Sequence, residues 1–327
     1  MPKVSVVIPT YNYARFLGEA IQSVLDQTFD DFELIIVDDG STDNTKEVVA
    51  SFADPRVKYI YQENRGVCAA QNTGIQASIG EYIALLGADD VLLENALEKG
   101  VEVLDSYPEV GFSYAQAYIM DENGHIYRVR KSSFLDASTI VDGRKEIRDL
   151  LVPYRITISA VMMRHHCLDE VGGFDEKIGN IAEDRHLIIR LAKRYSAAYI
   201  AEPLVKYRVQ PGSLSRHANP RVAEEAFLLI LQEVFEDPDF APHFQSWKNE
   251  AYSYFYRRIA SYAYGKDARL ARHYMRKALR VYPQIMLQRN GIAIVYRYAT
   301  LFLPDRLWLA FRHLKRHFQD PSKRLRD

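Results

Sequence analysis

Two cysteines in 327 residues, Cys68 and Cys167, are too few for a disulfide scaffold and form no metal-ligand spacing, so both are expected as plain reduced thiols. Long apolar runs are missing as well. No stretch approaches the roughly 20 apolar residues needed to cross a bilayer. The amino terminus lacks a basic, apolar, small-residue leader pattern, and a cytoplasmic protein is expected. After the first strand-like run stands Pro9-Thr10-Tyr11-Asn12 instead of Gly-x-Gly-x-x-Gly, which excludes a dinucleotide-dependent dehydrogenase. Neither Gly-x-Ser-x-Gly nor a phosphate-loop Gly-Lys-Ser/Thr is present, and the nine histidines never form His-Glu-x-x-His.

Charge is balanced only in total. The net charge is -1, yet residues 241–327 hold 18 Lys plus Arg against 5 Asp plus Glu, leaving the first 240 residues acidic. An acidic body suited to cations and a basic end suited to an anionic surface are expected.

The first 115 or so residues alternate strand and helix signals, the pattern of a parallel sheet with helical crossovers. Val4–Ile8 reads as a strand closed by Pro9, and residues 14–25 as a helix with Phe16, Leu17, Ala20, Ile21 and Val24 on one face. Further strands are expected at 32–37, 57–61, 82–86 and 111–115, with helices at 43–52, 66–78 and 92–104 between them. Ser41 or Thr42 is expected to cap the second helix. Beyond Ala115 come an antiparallel hairpin around Asp121-Glu122-Asn123-Gly124, an apolar run at 156–163, a helix at 183–193 and strands at 197–201 and 204–209. No flexible linker interrupts this stretch, so 1–216 is read as one domain and 217–327 as a helical basic region. Within the latter, residues 254–283 space their small residues like one tetratricopeptide-type hairpin.

Two acidic pairs follow strands: Asp38-Asp39 after Ile35-Ile36-Val37, and Asp89-Asp90 after Leu85-Leu86-Gly87-Ala88. Carboxylates at the carboxyl ends of neighbouring parallel strands converge on one crevice, which suggests a metal and a nucleotide-like polyanion. Singly, such a pair is ordinarily a helix cap or a turn.

The ordered motifs Val4-Ser5-Val6-Val7-Ile8-Pro9-Thr10-Tyr11-Asn12, Val37-Asp38-Asp39-Gly40-Ser41-Thr42-Asp43 and Gly80-Glu81-Tyr82 through Asp89-Asp90 together resemble family 2 glycosyltransferases over about 1–216. The resemblance implies a GT-A fold, a mixed α/β sheet flanked by helices, and inverting transfer from a nucleotide-activated sugar. It implies that Pro9, Thr10, Tyr11, Asp38, Asp39 and Arg65 hold the nucleotide, with a carboxylate favouring uracil. Asp89 and Asp90 would bind a divalent cation, Mn or Mg, on the diphosphate. Ala182-Glu183-Asp184-Arg185 resembles the family's catalytic pair, with Asp184 as general base. Glu183 and the turn Gly172-Gly173-Phe174-Asp175 would serve the acceptor, a glycan or lipid-linked sugar.

Two positions depart from the family pattern. Gly87 stands where a further acid is common, and Gln210 follows Tyr207-Arg208-Val209 where His is common. The cationic contact is then absent or supplied by Arg208, Arg216 or His217. Gln71 likewise stands where Arg is common. These departures keep a degenerate, scaffold-like subunit as the alternative, beside a sugar nucleotidyltransferase that lacks its expected Gly-rich phosphate loop. The basic amphipathic segment 307–318 suggests that 300–327 meets an anionic membrane, peripherally on the inner face. No nucleic-acid partner is expected, since no reading module is recognised.

Overall fold

The computed structural model describes residues 1–284 apart from 132–134, 136, 153–155, 211–217 and 265. The chain divides into two compact units, Met1–Ser215 and Arg216–Asp327. The basic segment 300–327, Arg216 and His217 lie outside the described residues.

In the first unit, β1 (Val4–Thr10), α1 (Ala14–Leu25), β2 (Phe32–Asp38), α2 (Thr45–Ala50), β3 (Val57–Tyr61), α3 (Val67–Ala77) and β4 (Tyr82–Leu85) form the expected alternation. β1 pairs in parallel with β2 on one side and β4 on the other, and β2 with β3. β1 and β2 are almost wholly buried and largely apolar, as strands covered on both sides are, and their buried Ser5 and Glu33 are hydrogen-bonded to each other. The chain leaves β1 toward β2 and β3 and later returns on the opposite side at β4. Both acidic pairs therefore emerge at the carboxyl edge, flanking β1, at a topological switch point.

β5 (Val91–Leu92), α4 (Ala96–Ser106), β6 (Val110–Met120), β7 (Ile126–Arg130), β8 (Thr139–Val141), α5 (Gly143–Leu151), β9 (Val161–Arg164), α6 (His165–Val171), α7 (Glu183–Ala192) and β10 (Ser196–Arg208) complete the unit. Among the described residues the strands make one mixed sheet in the order β3-β2-β1-β4-β9-β6-β10-β5, with β7 on β6 and β8 on β10. The expected strands at 197–201 and 204–209 are a single strand, β10, whose register on β6 shifts around Pro203. Proline cannot donate to a ladder, so the sequence shows a break where the sheet accommodates an irregularity. Likewise the strand at 111–115 runs on to Met120, carrying the hairpin with β7.

The second helix starts two residues later than expected. Asp43 turns the chain instead of Ser41 or Thr42: its Oδ1 accepts from the Thr45 amide and hydroxyl, and its Oδ2 from the Ala14 amide.

The second unit is helical where described: α8 (Pro220–Phe235), α9 (Ala241–Phe244), α10 (Lys248–Ala263) and α11 (Ala268–Val281). α10 and α11 make the hairpin expected from the small-residue spacing, with Ala260, Ala263, Ala271 and Ala278 buried.

Candidate active site

The loops after β1, β2 and β3 are laced together before any ligand is considered. Asn12 adopts φ +56°, a left-handed conformation that Asn tolerates better than most residues. Its Oδ1 accepts from the Thr42 amide at 2.7 Å and its own amide donates to Ser41 Oγ at 2.9 Å, tying the first loop to the second.

Asp38 and Asp39 are both buried, 2% and 3% exposed, and both are turned inward to protein donors. Asp38 accepts from the Ser41 amide and from the Tyr59 hydroxyl at 2.6 Å. Asp39 accepts from Gln62 Nε2 and the Arg65 amide at Oδ1, and from the Gly66 amide at Oδ2. A carboxylate offers about four lone-pair directions, so Asp39 retains one at Oδ2 and Asp38 retains two. Around this pair, Tyr11 is 46% exposed and Thr10 is buried at the end of β1, next to Pro9, which aligns with Val37. The Thr10 hydroxyl and the buried Gln71 Oε1 on α3 have no partner among the described residues. The Arg65 guanidinium, more than half exposed, lies 3.5 Å from Glu176.

Asp89 and Asp90 occupy a different setting. Asp90 is 3% exposed; its Oδ1 accepts from the Arg208 amide at 2.9 Å and its Oδ2 from Ser159 Oγ at 2.5 Å. Ser159 Oγ in turn accepts from the Gly87 amide. Burial, and then the neighbouring Asp89 charge, push the Asp90 carboxyl up to about 7, and burial also raises Asp89. A side chain at residue 87 would place its Cβ 2.9 Å from Asp90 Oδ2 and 3.4 Å from Asp89 Oδ1. Gly87 thus leaves room for both carboxylates to lie against the backbone at residue 87.

The departures noted in the sequence find physical answers here. Arg208 is 3% exposed and fully engaged: Nε donates to the Asp89 carbonyl at 2.8 Å, Nη2 to Glu19 at 2.5 Å, and the guanidinium lies 4.8 Å from the Phe16 ring centre. Its guanidinium is held within the protein, the Glu122 carbonyl accepting from Nη1. Gln210 donates its amide to Asp89 Oδ2 at 2.7 Å, so it meets the acid pair itself.

Asp184 and Glu183 open α7, where acids complement the helix dipole. Burial, then Asp184, push Glu183 up to about 8. The Cys68 thiol on α3, bonded to the Gly179 carbonyl, is pushed up to about 12 by burial and then by Glu183, Glu176 and Asp175. Gly173, at φ +65°, lies in the preceding turn, which Asn72 of α3 clamps through the Phe174 amide and carbonyl at 2.8 and 2.9 Å. The Tyr207 hydroxyl lies within electrostatic reach of both acidic regions. It is raised to about 12 by burial first, and also by Asp90, Asp89 and Asp184, against an opposing Arg130. Arg130 lies 4.7 Å from the Tyr207 ring centre and donates to Thr157. Tyr207, Arg130, Ser159 and Tyr13, whose hydroxyl is raised to about 12 by burial and then by Asp89 and Asp90, escaped the sequence reading. Only Tyr207 left a signal, as the residue before Arg208.

Among the described residues no three His, Cys, Asp or Glu side chains form a closed metal cage. Two adjacent hard-oxygen acids, held ionised only against burial and mutual repulsion, nevertheless fit magnesium or manganese. Such ions commonly use one or two carboxylates and take their remaining ligands from substrate phosphates.

Residues 5–167 match the model of a family described as Glycosyl transferase family 2. Curated relatives include an uncharacterized glycosyltransferase of Nostoc sp., 47% identical over 112 residues, 33% of this chain and 35% of the relative. Another, of Rickettsia felis, is 31% identical over 237 residues, 72% of this chain and 38% of the relative. The chain thus spans little more than a third of the length of these two relatives. Among solved structures, residues 1–349 of S. aureus TarS in complex with UDP-GlcNAc superpose with TM-score 0.66 at 18% identity, covering 95% of this chain and 92% of that one. The mannosyltransferase PcManGT of Pyrobaculum calidifontis, in complex with GDP-Man and Mn2+, gives 0.55 at 20% identity over 94% and 83%. At these identities the likeness establishes the fold, a GT-A-type mixed sheet flanked by helices.

Proposed function

Because the chain belongs to glycosyl transferase family 2 through residues 5–167, we propose that it transfers a sugar, with inversion, from a nucleotide-diphosphate donor to a glycan or lipid-linked acceptor. A UDP-sugar is the proposed donor and cell-surface polysaccharide synthesis the proposed setting. What carries this reading is the placement of Asp38-Asp39 and Asp89-Asp90 at the carboxyl edge of the sheet on either side of β1, with the distant Asp184 joining the second pair in its electrostatic effect on Tyr207.

In the proposed complex Tyr11 stacks on the base while Asp39 and Asp38 use their remaining lone pairs for imide and ribose protons. Pro9 ends the strand beneath the base, and Thr10 Oγ1 gains the partner it lacks within the protein. The half-exposed Arg65 guanidinium meets phosphate. Asp89 and Asp90 would hold a divalent cation, which when bound supplies Lewis-acid stabilisation to the departing diphosphate. Asp184 takes the proton of the acceptor hydroxyl as its oxygen bonds the anomeric carbon. The bond from that carbon to the phosphate oxygen breaks on the opposite face, and its electron pair leaves with the diphosphate. Glu183, pushed toward neutrality, can donate to the acceptor, and Gly173 shapes the turn beside it.

Purified protein with manganese, offered a panel of nucleotide sugars and followed by nucleotide release, tests donor and activity together. Asp184→Ala is expected to reduce transfer by about a hundredfold or more while donor binding survives. Retained turnover removes Asp184 from the mechanism and favours the scaffold alternative. We further propose that 300–327 brings the enzyme to the inner membrane face. Removing those residues should then weaken sedimentation with anionic liposomes, and equal partitioning would sink this part.

A further inference from the structure

The second unit carries a one-sided feature of its own. α11 buries Ala271, Tyr274, Met275 and Ala278, and between Ala268 and Val281 the sequence contains no Asp, Glu, Asn, Gln, Ser or Thr. At about 100° per residue, Arg269, His273, Arg276 and Arg280 fall within about 60° of arc on the face opposite the buried one. All four are exposed. Arg272 and Lys277 flank them half-buried, with Lys277 drawn to Glu224 at 2.8 Å and lying over the Tyr256 and Tyr274 rings. From Arg269 to Arg280 the row is about 16 Å long, at 1.5 Å per residue.

Within the helix itself such a row is unfavourable. A solvated helix face ordinarily mixes signs and gains from oppositely charged neighbours four apart. Here Arg272–Arg276 and Arg276–Arg280 are like-charged pairs at that spacing, each opposing the helix by a few tenths of a kcal/mol. Arg269, in the first turn, also faces the positive end of the helix dipole. A negatively charged counter-surface adds attraction at the exposed Arg269, His273, Arg276 and Arg280 side chains.

We propose that this face of α11 docks on a bilayer of anionic phospholipid. The row runs along one exposed face of the helix, its guanidinium groups suit phosphate oxygens, and no Phe, Tyr or Trp lies in the exposed arc to stack on bases, as single-stranded nucleic acid would require. Since the apolar side of α11 is already buried, contact is electrostatic and at headgroup level, without insertion. The inference is independent of the catalytic reading and of residues 300–327.

The test is sedimentation of the whole chain with phosphatidylcholine vesicles, with and without phosphatidylglycerol. Wild type is expected to bind only the anionic vesicles and to release with salt. At about 1 kcal/mol for each Arg near the surface, the combined Arg269→Gln, Arg276→Gln, Arg280→Gln variant should bind at least about tenfold more weakly. The corresponding triple Lys variant should bind like wild type. Should the Gln variant lose helical circular dichroism, Arg276→Glu alone takes its place with the same expected weakening. Unchanged binding by the neutralised or reversed variant, equal wild-type binding to neutral vesicles, or tighter binding to duplex DNA than to anionic vesicles would overturn the proposal.

Discussion

Replacing Arg208 with Ala would strip donors from the Asp89 carbonyl and a counter-ion from Glu19, and leave a void against Phe16. Loss of a buried, hydrogen-bonded guanidinium is expected to cost about 2–4 kcal/mol, read as a lowered midpoint in denaturant melts at unchanged slope. The sign at Asp90 runs differently. Its carboxyl is raised in the folded chain to about 7, so between its unfolded value near 4 and about 7 the folded state binds the extra proton. Stability from this group is therefore present in acid and lost as pH rises through that window. In chelator, Asp90→Asn should raise the melting temperature relative to wild type by more at pH 8 than at pH 5. An equal difference at the two pH values would show that Asp90 stays ionised throughout. These residues also mark what sequence reading reaches: Asp38, Asp39, Asp89 and Asp90 were visible as acids after strands, but not that the first pair faces inward to Ser41, Tyr59, Gln62 and Gly66.

At the scale of elements, α3 is the part that joins the two halves of the candidate site. Its start is fixed by Asp39 through the Gly66 amide, its Cys68 bonds the Gly179 carbonyl, and its Asn72 clamps Phe174. Asn72→Ala should free the 172–179 turn at a cost of about 1–3 kcal/mol. The expected kinetic signature is a raised acceptor KM with donor affinity little changed, and parallel loss of both would place Asn72 in the donor site instead. Gly173 is constrained twice, by its φ of +65° and by the position of Asn72 Oδ1, which would lie 2.8 Å from a Cβ at residue 173, so Gly173→Ala should act in the same direction. The helix was legible in the sequence, at 66–78 against the observed Val67–Ala77. Its clamp was not, because Asn72 and Phe174 meet only through the fold. The merging of two expected strands into β10 was hidden for a similar reason: Pro203 reads as a stop, and only pairing with β6 carries the strand past it.

For the whole molecule, the two compact units suggest a division near 215. Residues 1–215 expressed by themselves are expected to unfold in one cooperative transition and to retain donor binding; aggregation or loss of binding would argue that the units depend on each other. The sequence by itself determined the parallel αβ beginning, the placement of both acidic pairs at strand ends, the family and the one-sided charge of the chain. Each follows from local pattern: apolar periodicity, residues bounding strands, and motifs read in order. Only the tertiary structure decided which charges are spent inside the protein. Arg208 is used in packing, Gln210 meets Asp89, Gly87 makes room for both carboxylates of the pair, and Tyr207 lies under the influence of three acids from two separate segments. Such assignments depend on distances between residues remote in the chain and on burial, which raises or saturates a carboxylate without leaving a mark on its neighbours in sequence.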